Sequence, residues 1–218
     1  MARIEQSFDK NIDRTVVSIK AARKRGKCFI VFSNDDYILL EKDLVYEFKI
    51  AKNLSISSDI ITLLLRREEL IEAKKKGLQY ATYALRSSLQ VFKKLSHLGY
   101  NKDTINDVIQ FLKDFNYLSD ETFAIQYTKA KIQRKHFGLQ RIKRELESRG
   151  IAQHIIRNTL KDHYPEDIVF DTARKSAEKK LRSVSFRSEE KKRVQLYAHL
   201  VRQGFPKDII SQIMKEYT

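Results

Sequence analysis

The chain has 218 residues, 42% of them apolar, and 43 Lys and Arg against 28 Asp and Glu give a formal net charge of +15. That apolar fraction excludes wholesale disorder, while six Gly and two Pro leave little loop and favour long helices joined by tight turns. The lone Cys28 excludes an intrachain disulfide and a cysteine-rich zinc site, and the charge points to nucleic acid, or a protein surface carrying it, as partner.

In chain order, residues 1–57 read as a β-containing extension. Val16, Val17 and Ile19 form a first strand that leads into a basic turn around Arg23, Lys24, Arg25 and Gly26. Cys28 to Phe32 is a β-branched and aromatic run, Asn34 to Asp36 a turn, and Tyr37 to Leu40 a third strand. A short helix follows over Asp43 to Ile50. So small a meander is marginal alone, so it is expected to pack on the first long helix. The opening residues carry no apolar leader core, and no run approaches the roughly 20 apolar residues of a membrane span. The expected location is the cytoplasm.

Ser57 or Ser58 caps a helix running to about Leu85, with Gly77 a weak point. Ser88 starts the next helix, and Asp103 one that buries Ile105, Val108, Ile109, Leu112 and Phe115, closing a unit over 58–117. Tyr80, Tyr83, Phe123, Tyr127 and Phe137 are assigned to cores. Ser119, Asp120, Glu121 and Thr122 form a start signal with carboxylates where the helix dipole favours them. A second unit over 118–163 has inward residues Leu139, Ile142, Leu146, Ile155, Ile156 and Leu160. The third, 164–218, has Phe170, Ala173, Ala177, Leu181, Val194, Tyr197, Leu200, Val201, Ile209, Ile210 and Ile213, with Pro165 and Pro206 in first turns.

A phrase recurs in all three units: Val91, Leu95, Gly99, Tyr100; Ile142, Leu146, Gly150, Ile151; and Leu196, Leu200, Gly204, Phe205. Apolar residues four apart share a helix face, and Gly after the last turn takes the left-handed backbone that closes a helix. The chain therefore reads as mainly α, three tandem three-helix repeats in an elongated curved array with a small N-terminal β meander.

The histidines are scattered without a His-x-x-x-His pair, and no phosphate loop, dinucleotide turn or nucleophile elbow occurs. Carboxylate pairs such as Asp35 with Asp36 and Glu68 with Glu69 are placed in turns or on solvated faces. No enzyme, metal or cofactor is expected. Two basic rows are the candidate binding residues. The first is Lys129, Lys131, Arg134, Lys135, Arg141, Lys143, Arg144 and Arg149 against Glu145 and Glu147. The second is Arg174, Lys175, Lys179, Lys180, Arg182, Arg187, Lys191, Lys192 and Arg193 against three glutamates. Core positions on the 139–149 helix push Arg141 and Arg144 outward. Rows of cations neutralise phosphates without sequence preference, and too few acids stand nearby to pair them all.

Two stretches carry a family resemblance. Tyr117, Leu118, Ser119, Asp120, Glu121, Thr122, Phe123 and Ala124 precede Gly138, Arg141, Ile142, Glu145, Leu146, Gly150 and Ile151, and the chain ends with Leu200, Arg202, Gly204, Phe205, Ile209 and Ile210. This pattern resembles the RecX family of recombination regulators over nearly the whole chain, and the N-terminal hairpin is similar to the extension of its longer members. The first unit departs from the family, with Val91 and Phe92 where a Glu-Leu pair is usual. A monomer is expected, and the resemblance implies that it lodges in the groove of the RecA recombinase filament on single-stranded DNA. There it would limit ATP hydrolysis, strand exchange and repressor self-cleavage. A plain single-stranded DNA-binding module and a helical scaffold for another protein remain alternatives.

Overall fold

The computed structural model describes residues 13–183 and 188–217. Alternation of apolar and polar residues builds β1 (Arg14–Ala21), β2 (Lys27–Phe32) and β3 (Tyr37–Glu41), which turn Val16, Cys28, Ile30, Phe32, Ile38 and Leu40 inward. A fourth strand, β4 (Ser55–Ile56), pairs antiparallel with the start of β1, giving the order β3-β2-β1-β4. Two residues are too short to show a period, so the sequence pattern does not reveal it. α1 (Lys42–Glu47) stops short of the expected Ile50, because Lys49 lies in the left-handed region at φ 50. The inner face of the sheet packs on Ile61 and Leu64 of α2 (Ser58–Tyr83), as a marginal sheet requires. Gly77 lies inside α2 and does not end it.

Under this sheet an ion network replaces the expected solvated acids. Lys27 is only 2% exposed, and its Nζ reaches Glu68, Glu72 Oε1 at 2.6 Å and Glu41 Oε1 at 3.8 Å. Glu68, itself buried, also accepts the Glu41 backbone N–H at 2.6 Å. Burial raises the Glu72 pKa, but hydrogen bonds from Lys24 and Lys27 outweigh it and hold the carboxyl at about 2.

The helices continue as α3 (Ser88–His97), α4 (Lys102–Asp114), α5 (Asp120–Lys135), α6 (Leu139–Glu147), α7 (Gln153–His163), α8 (Glu166–Ser183), α9 (Glu189–Gln203) and α10 (Lys207–Tyr217). None among the described residues is long and apolar enough to cross a membrane. Contacts divide the chain into two units. One holds the described residues up to Lys76 with Tyr100–Val108, the other Gly77–Gly99 with Ile109 onward. α3 is capped by Ser87, not Ser88, in a reciprocal box with Gln90, while Ser119 and Ser188 cap α5 and α9.

Five core assignments fail. Phe115 is 63% exposed, since α4 ends at Asp114 and Asn116 turns the chain at φ 58. Tyr83, the last residue of α2, is 85% exposed. On α9 the inward stripe is Leu196 and Leu200 alone, leaving Val194, Tyr197 and Val201 at the surface. Elsewhere the periodicity holds. Phe123, Ile142, Leu146, Ile156, Leu160, Ala173, Ala177, Leu196, Leu200, Ile209, Ile210 and Ile213 join one continuous core across the second and third helix triplets.

The triplets meet through a repeated joint. Gly138, the N-cap of α6, donates its N–H to the Gln203 carbonyl at 2.8 Å, and Gln140 donates to the Gly204 carbonyl at 2.9 Å. One repeat earlier, Ser87 Oγ donates to the Arg149 carbonyl at 2.8 Å and Leu89 lies against Gly150. A Cβ on Gly138 would stand 2.4 Å from the Gly204 backbone, and one on Gly204, at φ +85, 2.4 Å from Arg141 N. Gly138→Ala and Gly204→Ala are each expected to cost about 2–4 kcal/mol in urea unfolding, Gly138 by collision alone and Gly204 by collision plus left-handed strain. Lys27→Met, which strands buried Glu68, is expected to cost about 3 kcal/mol in the same assay.

Candidate nucleic-acid interface

The described residues of both basic rows lie in the unit containing α5 to α10, where α5, α8 and α9 carry acids in the first turn and bases in the last, as the helix dipole favours. The structure divides the predicted cations into those that hold the fold and those that face solvent. Around Glu145 the first kind converge. Tyr127 Oη donates to its carboxylate, Lys131 Nζ lies 3.4 Å away, and Arg141 Nε 3.4 Å from the other oxygen. The Arg141 guanidinium stacks on Phe137 with 3.6 Å to the ring centroid, and its Nη1 donates to Gln203 Oε1 at 3.0 Å. Arg149 covers the Tyr127 ring at 4.4 Å and donates to the Glu145 carbonyl at 2.7 Å. Lys131 completes the stack over Tyr127 and Phe137.

Charge follows from this geometry. Burial raises the Glu145 pKa, but the Tyr127 bond and the charges of Lys131 and Arg141 prevail, so the carboxyl stays ionised below its ordinary range. Burial first, then the Glu145 hydrogen bond, pushes the Tyr127 phenol well up. Arg141 therefore does not point outward as its helical position implied. Its planar fork bridges α6, Phe137 and the end of α9, because a guanidinium can stack and pair at once.

Other predicted cations are also engaged. Arg174 forms a two-pronged pair with Glu216 at 3.0 and 3.2 Å, Lys192 pairs with Glu189 at 3.0 Å, and Arg182 lies 4.0 Å from Glu178. Lys143 and Lys180 are half-buried. Exposed and without a carboxylate partner among the described residues are Lys129, Arg134, Lys135, Arg144, Lys175, Lys179, Lys191 and Arg193. Arg187 lies outside the described residues.

One cleft sets cations of the second row beside the end of α5. His136, directly after Lys135, closes α5 in the left-handed conformation at φ 52 and lines an open cleft of about 470 Å³ with Lys175, Lys179 and Arg182. Burial, and then the Lys179 and Lys175 charges, hold its pKa below the ordinary imidazole value. Glu178 is the acid in this cleft, and its Oε1 also accepts from Tyr217 Oη at 3.2 Å. Such a cleft neutralises phosphate oxygens without reading bases. Sequence reasoning counted Glu145 only as an acid among the first row, passed over Gln203 and His136, and gave Tyr127 and Phe137 to packing alone. The four-residue spacings of Tyr127 with Lys131, and of Arg141 with Glu145, were the available signal. No group of His, Cys, Asp and Glu suited to a metal occurs among the described residues.

Fold and surface together define a basic protein of tandem three-helix domains. Residues 119–160 match the second three-helix domain of RecX and residues 166–214 the third. The regulatory protein RecX of Clostridium botulinum is 26% identical over 92% of this chain and 95% of its own length. That of Clostridioides difficile is 29% identical over 92% and 94%. A crystal structure of regulatory protein RecX superposes with a TM-score of 0.72 at 18% identity, covering 93% of this chain and 99% of that one. The RecX of Lactobacillus salivarius gives 0.62 at 26% identity over 69% and 97%. The second and third triplets thus match RecX domains, and the chain is similar to RecX regulatory proteins over nearly its whole length.

The divided roles separate two charge reversals. Arg141→Glu sets a second carboxylate beside Glu145 and strips the Phe137 face, and is expected to cost about 2 kcal/mol or more. Arg144→Glu, on an exposed site, is expected to stay within about 0.5 kcal/mol of wild type. Thermal melts of the two variants side by side check this.

Proposed function

We propose that this chain binds the RecA recombinase filament on single-stranded DNA and limits its ATP hydrolysis, strand exchange and stimulation of repressor self-cleavage. Similarity to regulatory proteins named RecX over 92% of the chain supports the reading. The observation that carries it is the set of exposed cations left over after the fold has used its own, above all Lys175 and Lys179 in the cleft beside His136. A nucleoprotein filament offers repeated phosphates within a protein wall. A basic protein with a net charge of +15 is drawn to that surface over a Debye length of ~8 Å at physiological salt. The same cleft supports direct single-stranded DNA binding as a second reading, in which the chain acts by taking the strand away.

The cations that serve this role are Lys129, Arg134, Lys135, Arg144, Lys175, Lys179, Lys191 and Arg193. In this assignment Lys131, Arg141, Arg149 and Arg174 act through the fold that presents them. RecA ATP hydrolysis on single-stranded DNA, titrated with this protein at limiting and excess DNA, distinguishes the readings. Inhibition at substoichiometric protein that excess DNA does not relieve is expected. Relief by free DNA means strand competition, and no effect at all means that the chain serves another protein. Lys175→Glu with Lys179→Glu is expected to raise the half-inhibiting concentration about tenfold, as two lost phosphate contacts would.

A further inference from the structure

The three repeats share one register, set by Gly99, Gly150 and Gly204. In that register Leu89 of α3 corresponds to Gln140 of α6 and Val194 of α9. At the first position Leu89 is half-buried against Gly150, and at the second Gln140 donates its backbone N–H to the Gly204 carbonyl while its side chain stays exposed. The third position presents apolar side chains to solvent. Val194 is 63% exposed and Tyr197, one turn on, 48%. They flank an open groove of about 700 Å³ between α9 and α10, floored by Ala198 and Met214, with Arg193 and Lys215 on its rim. Neither rim cation has a carboxylate partner among the described residues.

An apolar floor of this size on a helix face is a place for another surface to sit. The position decides what kind: within the chain, this end of the second helix of a repeat meets the C-terminal end of another helix, where carbonyls carry partial negative charge. The rim decides the sign. Arg193 and Lys215 match an acidic occupant, and a net charge of +15 opposes a second copy of the chain. Phosphate does not fill an apolar floor.

We propose that the groove between α9 and α10 seats an acidic amphipathic helix of the filament protein, with Val194 and Tyr197 as its apolar anchors. The assignment rests on the reading of the chain as a filament regulator. It adds to the cations that meet phosphate an apolar groove that meets protein, with Arg193 standing at the border between the two. Aromatic and aliphatic anchors of this kind dominate binding when a partner desolvates them.

The test compares wild type with the double variant Val194→Ser, Tyr197→Ser in two binding measurements, one to RecA filaments on oligo-dT and one to bare oligo-dT. Both replaced residues are exposed, and an unchanged thermal melt verifies the fold. Tyr197→Ser alone is a second variant if the pair melts early. The expected result is about tenfold weaker filament binding with bare-DNA affinity unchanged. Equal filament binding by wild type and variant overturns the groove and leaves the regulator reading standing. Equal losses on filament and bare DNA overturn it too, since the surface would then act through the strand. A wild-type protein that ignores the filament overturns the regulator reading, and the groove assignment with it.

Discussion

The contact between the start of one helix and the glycine that closes another sets the rest of this architecture. At Gly138 and Gly204 two backbones approach so closely that neither position has room for a methyl group. The approach lets amide N–H groups at the start of α6 bond the carbonyls that end α9, so two sets of helix-terminal orphans satisfy one another. Once these ends are fixed, Leu146 and Leu200 fall into one core, and the side of α6 that carries Arg141 is turned toward Gln203. The placement of the basic residues follows from this backbone contact.

Within that frame, cations divide by what lies beneath them. Glu145 is a half-buried acid that must stay charged, and Tyr127, Lys131 and Arg141 supply the bonds and charge to keep it so. Aromatic faces give Arg141 and Arg149 a second reason to stay. The lysines of α8 beside His136 have neither, so their charge is available to an outside anion. The +15 total therefore overstates what a ligand meets.

Much of the helical fold was legible because its signals are local. Apolar pairs four apart ending in Gly located the second helix of each triplet, and Ser119 with its following acids located the start of α5. What escaped reading was tertiary. β4 has two residues and no pattern of its own. Glu68 sits on a helix whose neighbours are charged, and only the arrival of Lys27 from β2 buries it. Val194 and Tyr197 look like core residues because periodicity reports a face, not whether anything covers it. The site was read in part for the same reason. Charge runs marked the right helices, yet which cations stay free depended on Phe137, Gln203 and Glu216, brought from other segments.

The two joints differ in one respect. Ser87 meets the Arg149 carbonyl with a side-chain hydroxyl, whereas Gly138 meets the Gln203 carbonyl with its main chain. The acceptor side keeps its glycine in both, Gly150 and Gly204, each in the left-handed conformation. An array that grows by copying its unit is thus bound to unequal inheritance at each seam. The receiving end is a left-handed glycine at both seams, while the giving end is a serine hydroxyl at one and a bare main chain, with no room for a side chain, at the other.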